Sequence, residues 1–219
     1  MVGMRKIQLS AGGQTGSLIY PQSVTAAPDS AERIRIGLKI NGHVSSPLVF
    51  TGIFSPGECC RIMGLSRTRR PRAGTMLYAR PNIRKSTIAW IDLQEDSRWL
   101  YEKVWDTFQA VNRWFRYDLF GLVDEIQFAK YGVGDGFGWH LDAGGGQTST
   151  RKLSMSVQLS DEAEYSGGDL EFCACSQLES RRRRGTIIVF PAFLAHQVTP
   201  VTQGIRHSLV AWAHGPVFK

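Results

Sequence analysis

The sequence predicts an α+β fold: a sandwich or jelly roll of short strands, with helices packed on the outer face of one sheet. Three observations predict it. Residues 96–115 read as a helix with one apolar stripe. From about residue 123 the apolar pattern changes to a period of two. Seven short strand candidates then follow, divided by Gly, Pro and polar turns.

Composition sets the limits. A chain of 219 residues with 42% hydrophobic content can bury one sizeable core. The formal charge of +7 raises the question of a nucleic-acid partner. Four of those charges fall in one run, Arg181–Arg184, which reads as a solvated hairpin tip, so nucleic acid is not the expected partner. The four cysteines, Cys59, Cys60, Cys173 and Cys175, have no CxxC spacing for zinc and read as reduced thiols. The N-terminus has no apolar leader and no run is long enough to span a membrane, so the expected location is the cytoplasm.

Taken in order, residues 1–47 are expected to be an N-terminal arm. They are rich in small and polar residues and carry one edge-strand candidate, Arg33–Ile40. Residues 48–219 are expected to be one domain. Its entry helix has Ser55 as N-cap, Pro56 at the first position, Glu58 closing a capping box and a Phe54–Cys59 staple. The arginine-rich stretch 66–74 reads as a loop and Ile83–Leu93 as one strand. The helix that follows has its apolar stripe on Leu100, Val104, Phe108, Val111 and Phe115. In LSMSVQLS, Leu153, Met155, Val157 and Leu159 share one face. If helices cover that face, Ser154, Ser156 and Gln158 point into the barrel; the alternative is that they meet solvent.

The chemistry-bearing stretch is YGVGDGFGWHLD, residues 131–142. In an extended strand His140 and Asp142 project to one side, making two-thirds of a two-histidine, one-carboxylate metal site. His196, fifty-six residues beyond His140, is available as the third ligand, and Arg206 and Ser208 share one face of the last strand. Such a metal keeps open positions for a 2-oxo acid and oxygen. Arginine's planar fork suits the far carboxylate of a dicarboxylic 2-oxo acid. The Gly-rich segment 143–150 beside the metal strand is either a lid or a plain surface loop.

These residues resemble the Fe(II)- and 2-oxoglutarate-dependent dioxygenases, most of all the prolyl-4-hydroxylase-like branch and its bacterial PKHD-type hydroxylases. The resemblance runs through FAKYGVGDGFGWHLD, KLSMSVQLSDEAEYSGGDLEF and GTIIVFPAFLAHQVTPVTQGIRHSLVAW, and covers about residues 48–213. It implies a double-stranded β-helix with Fe(II) held by His140, Asp142 and His196. It also implies 2-oxoglutarate held by Arg206, Ser208, Tyr131 and Gln158, with O2 as the second cosubstrate. Trp212 would lie near the metal, Leu170 on the inner wall, and Arg84 and Ser86 near the substrate mouth. Asp142 departs from the halogenating relatives. Trp212 stands where the alkylated-DNA repair enzymes have a second arginine. The expected activity is hydroxylation of an unactivated C–H bond of an amino-acid-like, peptidyl or small-metabolite substrate, releasing succinate and CO2. The alternatives are a non-catalytic metal-binding barrel and a nucleic-acid-modifying dioxygenase.

Overall fold

Period-two alternation sorts the side chains of one large sheet onto two faces, and the two faces have different jobs. The computed structural model describes residues 4–11, 14–21, 46–69, 72–73, 83–173 and 181–217, with backbone alone for 4–11, 14–21 and 72–73. In chain order the strands are β1 (Met4–Ala11), β2 (Gln14–Pro21), β3 (Leu48–Thr51), β4 (Arg72–Ala73), β5 (Arg84–Lys85), β6 (Thr87–Ile91), β7 (Ile126–Tyr131) and β8 (Gly136–His140). They continue as β9 (Arg151–Gln158), β10 (Tyr165–Gly167), β11 (Leu170–Phe172), β12 (Ile187–Pro191), β13 (His196–Val198), β14 (Val201–Gly204) and β15 (Arg206–His214). Helix α1 spans Pro56–Arg67 and α2 spans Arg98–Phe115.

Nine strands form the large sheet in the order β1-β2-β3-β12-β9-β15-β7-β6-β4. The smaller sheet runs β11-β13-β8-β5, and β10 pairs with β14. Every pairing is antiparallel. Leu153, Met155 and Val157 of β9, Ile187 and Val189 of β12, and Leu209, Ala211 and Ala213 of β15 pack with the two helices in one apolar core. The alternate residues face the smaller sheet, where Ile188, Phe190, Ala129 and Tyr131 meet Phe137, Leu170, Phe172 and Val198. Ser154, Ser156 and Gln158 are buried on this inner side. The interior reading of that polar face is therefore the correct one.

Helix α2 buries the predicted stripe: Leu100, Val104, Phe108, Val111 and Phe115 are at most 2% exposed. Each such side chain contributes about 1.5–3 kcal/mol by leaving water. The helix ends at Arg116 in the left-handed region (φ 58). Asn112 secures that end: its carboxamide accepts from the Tyr117 N–H (2.9 Å) and donates to the Tyr117 carbonyl (2.7 Å). Helix α1 begins as predicted. The Ser55 hydroxyl accepts from the Glu58 N–H (3.2 Å), and the Glu58 carboxylate accepts from the Ser55 N–H (2.7 Å).

Four expectations change. The segment Ile83–Leu93 is not one strand. It breaks at Ser86, so that β5 joins the small sheet and β6 the large one. A single apolar run cannot report that its two ends serve different sheets. The 66–74 stretch is helical through Arg67 and contains β4. Residues 4–11 and 14–21 of the expected arm form a hairpin that extends the sheet through β3; the edge-strand candidate 33–40 lies outside the described residues. The arginine run is not a free tip. Arg181 and Arg182 reach Asp169 (3.2 and 3.1 Å) and Arg184 reaches Glu164 (2.7 Å).

Candidate metal centre

Strand register brings the two histidines together. β13 pairs with β8 so that His196 lies opposite His140, and their ring centroids are 4.1 Å apart. Asp142 sits two residues beyond the end of β8. Its backbone N–H donates to the Ala192 carbonyl (2.9 Å), which keeps the chain alongside the strand before His196. The Asp142 carboxylate oxygens are 3.7 Å from His140 Nε2 and 3.6 Å from His196 Nε2. These gaps are too long for hydrogen bonds and are what a shared ion between the groups requires. One ligand atom from each residue lies within 4.8 Å of the others.

The surroundings set the charge state. Each Nδ1 faces a carbonyl: His140 that of Gly138 (2.9 Å), His196 that of Leu194 (2.8 Å). A carbonyl only accepts, so Nδ1 carries the proton and Nε2 offers its lone pair inward. Burial, and then the neighbouring His196, pushes the His140 pKa down to about 4, so the ring is neutral at physiological pH. Burial works against ionised Asp142. The two imidazoles and the Ser154 hydroxyl overcome it and hold the carboxyl below its ordinary range. Ser154 Oγ donates to Asp142 Oδ2 at 2.6 Å. Two imidazoles with inward-facing Nε2 atoms and one ionised carboxylate, nine-tenths buried, fit a divalent transition metal. Phe137 stacks on His140 at 3.5 Å, and Phe190 presents its edge to His196 at 4.7 Å.

The three groups open on a cavity of about 1120 Å³. Its walls include Tyr131, Arg206, Ser208, Val210 and Trp212, so the predicted face of β15 points where the alternation put it. Arg206 is 3% exposed. Its guanidinium donates to Ser208 Oγ (3.2 Å) and lies 5.5 Å from the Tyr131 ring centre. Among the described residues no carboxylate pairs with it. A buried cation without an ion pair is costly unless an anionic ligand completes it, so the pocket suits a carboxylate. Leu170 and Arg84 also line the cavity. The indole N–H of Trp212 is buried there without a hydrogen-bond partner.

Gln158 is placed differently from the rest. It is absent from the main cavity wall and donates to the Ser160 carbonyl (3.3 Å). It lines a void of about 10 Å³ behind Arg206, together with Tyr165, Arg181 and Arg182.

Three supports escaped the sequence reading. The first is Ser154, which was assigned to the interior but without its bond to Asp142. The second is Arg182. It stacks on Tyr165 (4.2 Å) and donates to the carbonyls of Tyr165 (2.7 Å) and Gly167 (2.9 Å), fixing the turn against Arg206. Gly168 belongs to that turn: at φ +63, a Cβ there would come within 3.0 Å of Arg206 Cδ and 3.5 Å of Tyr165 Cε2. The third is a buried network. His214 reaches Thr150 Oγ1 (2.9 Å) and Asp124 Oδ2 (3.0 Å). Arg151 binds the same Asp124 oxygen (2.7 Å), stacks on Trp212 (3.8 Å) and donates to the Asp142 carbonyl (3.3 Å). No local motif announces these contacts, because they join residues far apart in sequence.

The fold and the site together define a class: a double-stranded β-helix with a His–Asp–His group at the mouth of its barrel. Residues 126–214 match the family model described as the 2OG-Fe(II) oxygenase superfamily, in line with the resemblance drawn from the motifs. A PKHD-type hydroxylase from Caulobacter sp. (strain K31) is 41% identical over 93 residues, 39% of this chain and 40% of the relative. One from Synechococcus sp. (strain CC9902) is 37% identical over 91 residues, 41% of each. The chain thus spans about two-fifths of the length of the curated relatives it matches. Among solved structures, a Pseudomonas putida prolyl-4-hydroxylase aligns with a TM-score of 0.58 at 23% identity, covering 80% of this chain and 94% of that one. A Trichoplax adhaerens prolyl hydroxylase, in complex with a hypoxia inducible factor oxygen degradation domain peptide fragment, aligns with a TM-score of 0.62 at 17% identity, covering 84% and 86%. These structural likenesses establish the fold.

Proposed function

We propose that the chain is an Fe(II)- and 2-oxoglutarate-dependent hydroxylase of an unactivated C–H bond. The observation that carries the reading is a buried His140–Asp142–His196 group sharing one cavity with a buried Arg206 that makes no ion pair among the described residues. His140, Asp142 and His196 hold the metal. Arg206 binds the distal carboxylate of 2-oxoglutarate through its fork, with the Ser208 hydroxyl beside it and Tyr131 against the guanidinium. Gln158 and Tyr165 act from behind Arg206, and Leu170 and Trp212 form walls around the substrate. When bound, Fe(II) supplies the oxygen chemistry in which 2-oxoglutarate and O2 become succinate and CO2 as one oxygen atom enters the substrate C–H bond.

The protein's own work is positional. The Nδ1–carbonyl bonds keep each Nε2 lone pair aimed inward, and Ser154 keeps one Asp142 oxygen oriented. The apolar rings of Phe137 and Phe190 shield the imidazoles from water. Residues 143–148, which line the cavity mouth, are placed to cover a bound substrate. The test is a succinate-release screen over amino acids, peptides and metabolites, with mass spectrometry for a gain of one oxygen. A stimulating compound that gains the oxygen supports the reading. 2-Oxoglutarate consumption that persists unchanged in His140→Ala removes it, because that variant lacks one metal ligand.

A further inference from the structure

The cavity contains three guanidinium groups, and they differ in what completes them. Arg206 faces the cosubstrate end. Arg151 is engaged by Asp124, by the Asp142 carbonyl and by the face of Trp212. Arg84 has no anion. Its Nε donates to Ser86 Oγ (2.9 Å) and its Nη2 to Gln127 Oε1 (2.6 Å), both neutral acceptors. Among the described residues it makes no ion pair. It is half-buried on the cavity wall and Gln127 is buried, so the fork is held in one orientation before any ligand arrives. Its position relative to the metal group is also fixed. The guanidinium lies 4.7 Å over the Phe137 ring, and that ring stacks 3.5 Å from the His140 imidazole. A single ring, Phe137, touches both the cation and a ligand of the metal.

We infer that Arg84 is the receptor for a carboxylate on the substrate that is hydroxylated, and that this substrate is a small carboxylic acid, with free amino acids in the class. The inference rests on the hydroxylase reading above and gives that reading a substrate class. The shared Phe137 contact supports a small acid, because it places a carboxylate on Arg84 in the same part of the cavity as His140. A long polymer gripped through backbone carbonyls has no need of an unpaired cation so close to the reacting carbon. The orientation given by Ser86 and Gln127 favours a two-pronged carboxylate contact over a single carbonyl.

The test uses the full chain loaded with Fe(II) and 2-oxoglutarate. Succinate release is measured with the common amino acids and short 2-hydroxy acids, each beside its carboxamide. One or more free acids are expected to stimulate turnover, with kcat/KM about 30-fold or more above the matching amide. Arg84→Gln is expected to reduce that acid-to-amide ratio to within about threefold and raise KM for the acid, while Arg84→Lys restores part of the preference. The 2-oxoglutarate affinity, read from the anaerobic chelate band, stays unchanged in both variants. A loss of folding or of the metal site would not selectively erase the acid preference. The inference is overturned if acid and amide stimulate equally, if Arg84→Gln leaves the ratio intact, if only peptides with amidated ends respond, or if the chelate band forms and no acid stimulates. If the wild-type protein gives no chelate band, the hydroxylase reading itself fails, and the substrate class falls with it.

Discussion

The 2.6 Å contact from Ser154 Oγ to Asp142 Oδ2 makes a quantitative demand on the metal site. Ser154 is fully buried, so Ser154→Ala removes the donor without admitting water in its place. The lost bond is charge-assisted. Such bonds contribute about 1.5–3 kcal/mol, or roughly 10- to 150-fold in an equilibrium constant. Part of the loss returns as the freed carboxylate turns toward the histidines. The expected effect is therefore a fall in Fe(II) affinity of about 10- to 100-fold, the range seen when partners of metal ligands are removed. Anaerobic equilibrium dialysis against Fe(II) measures it, with the thermal midpoint of the apo protein as the control for folding. An Fe(II) affinity within twofold of wild type, in a folded variant, would refute the claim that Ser154 orients a metal ligand.

Three further outcomes follow from other parts of the structure. Gly168→Ala places a Cβ against Arg206 Cδ at a positive φ, so it is expected to weaken 2-oxoglutarate binding by about tenfold or more while Fe(II) binding holds; isothermal titration with each ligand separates the two. Burial opposes the Asp124 charge, but its bonds to His214 and Arg151 hold the carboxyl below its ordinary range. A depressed carboxyl stabilises the fold above its unfolded pKa and loses that contribution as pH falls through the folded value. The gap in thermal midpoint between wild type and Asp124→Asn should thus be largest near neutrality and shrink below about pH 4. Burial pushes the Cys59 thiol up to about 11, while Cys60 and Cys173 are exposed. Iodoacetamide followed by peptide mass mapping should therefore label Cys60 and Cys173 and spare Cys59 until the chain is unfolded.

What the sequence revealed, and what it hid, divides along the range of the interactions. The α2 stripe, the Ser55–Glu58 cap and the two faces of β9 and β15 were legible because each depends on local periodicity or a few neighbouring residues. The metal group was legible because HxD and a later histidine keep their order and spacing. Arg206 was legible because Ser208, two residues on, marks the same strand face. The break at Ser86 was not legible, since one apolar run reads alike whether it serves one sheet or two. The Arg151–Asp124–His214 network and the grip of Arg182 on the Tyr165 turn were hidden for a different reason. Their partners are drawn from separate strands and meet only through tertiary register. Composition pointed the wrong way for the arginine run, whose charges are largely matched by Asp169 and Glu164.

The central claim is that His140, Asp142 and His196 hold Fe(II) while Arg206 holds 2-oxoglutarate in the same cavity. Anaerobic titration of the protein with Fe(II) and then 2-oxoglutarate tests it most directly, by the weak visible charge-transfer band of the chelate. The band should saturate at one equivalent of each in the wild type, vanish in His140→Ala, and need far more 2-oxoglutarate in Arg206→Gln. A wild-type protein that gives no band, or a band that His140→Ala leaves intact, contradicts the account.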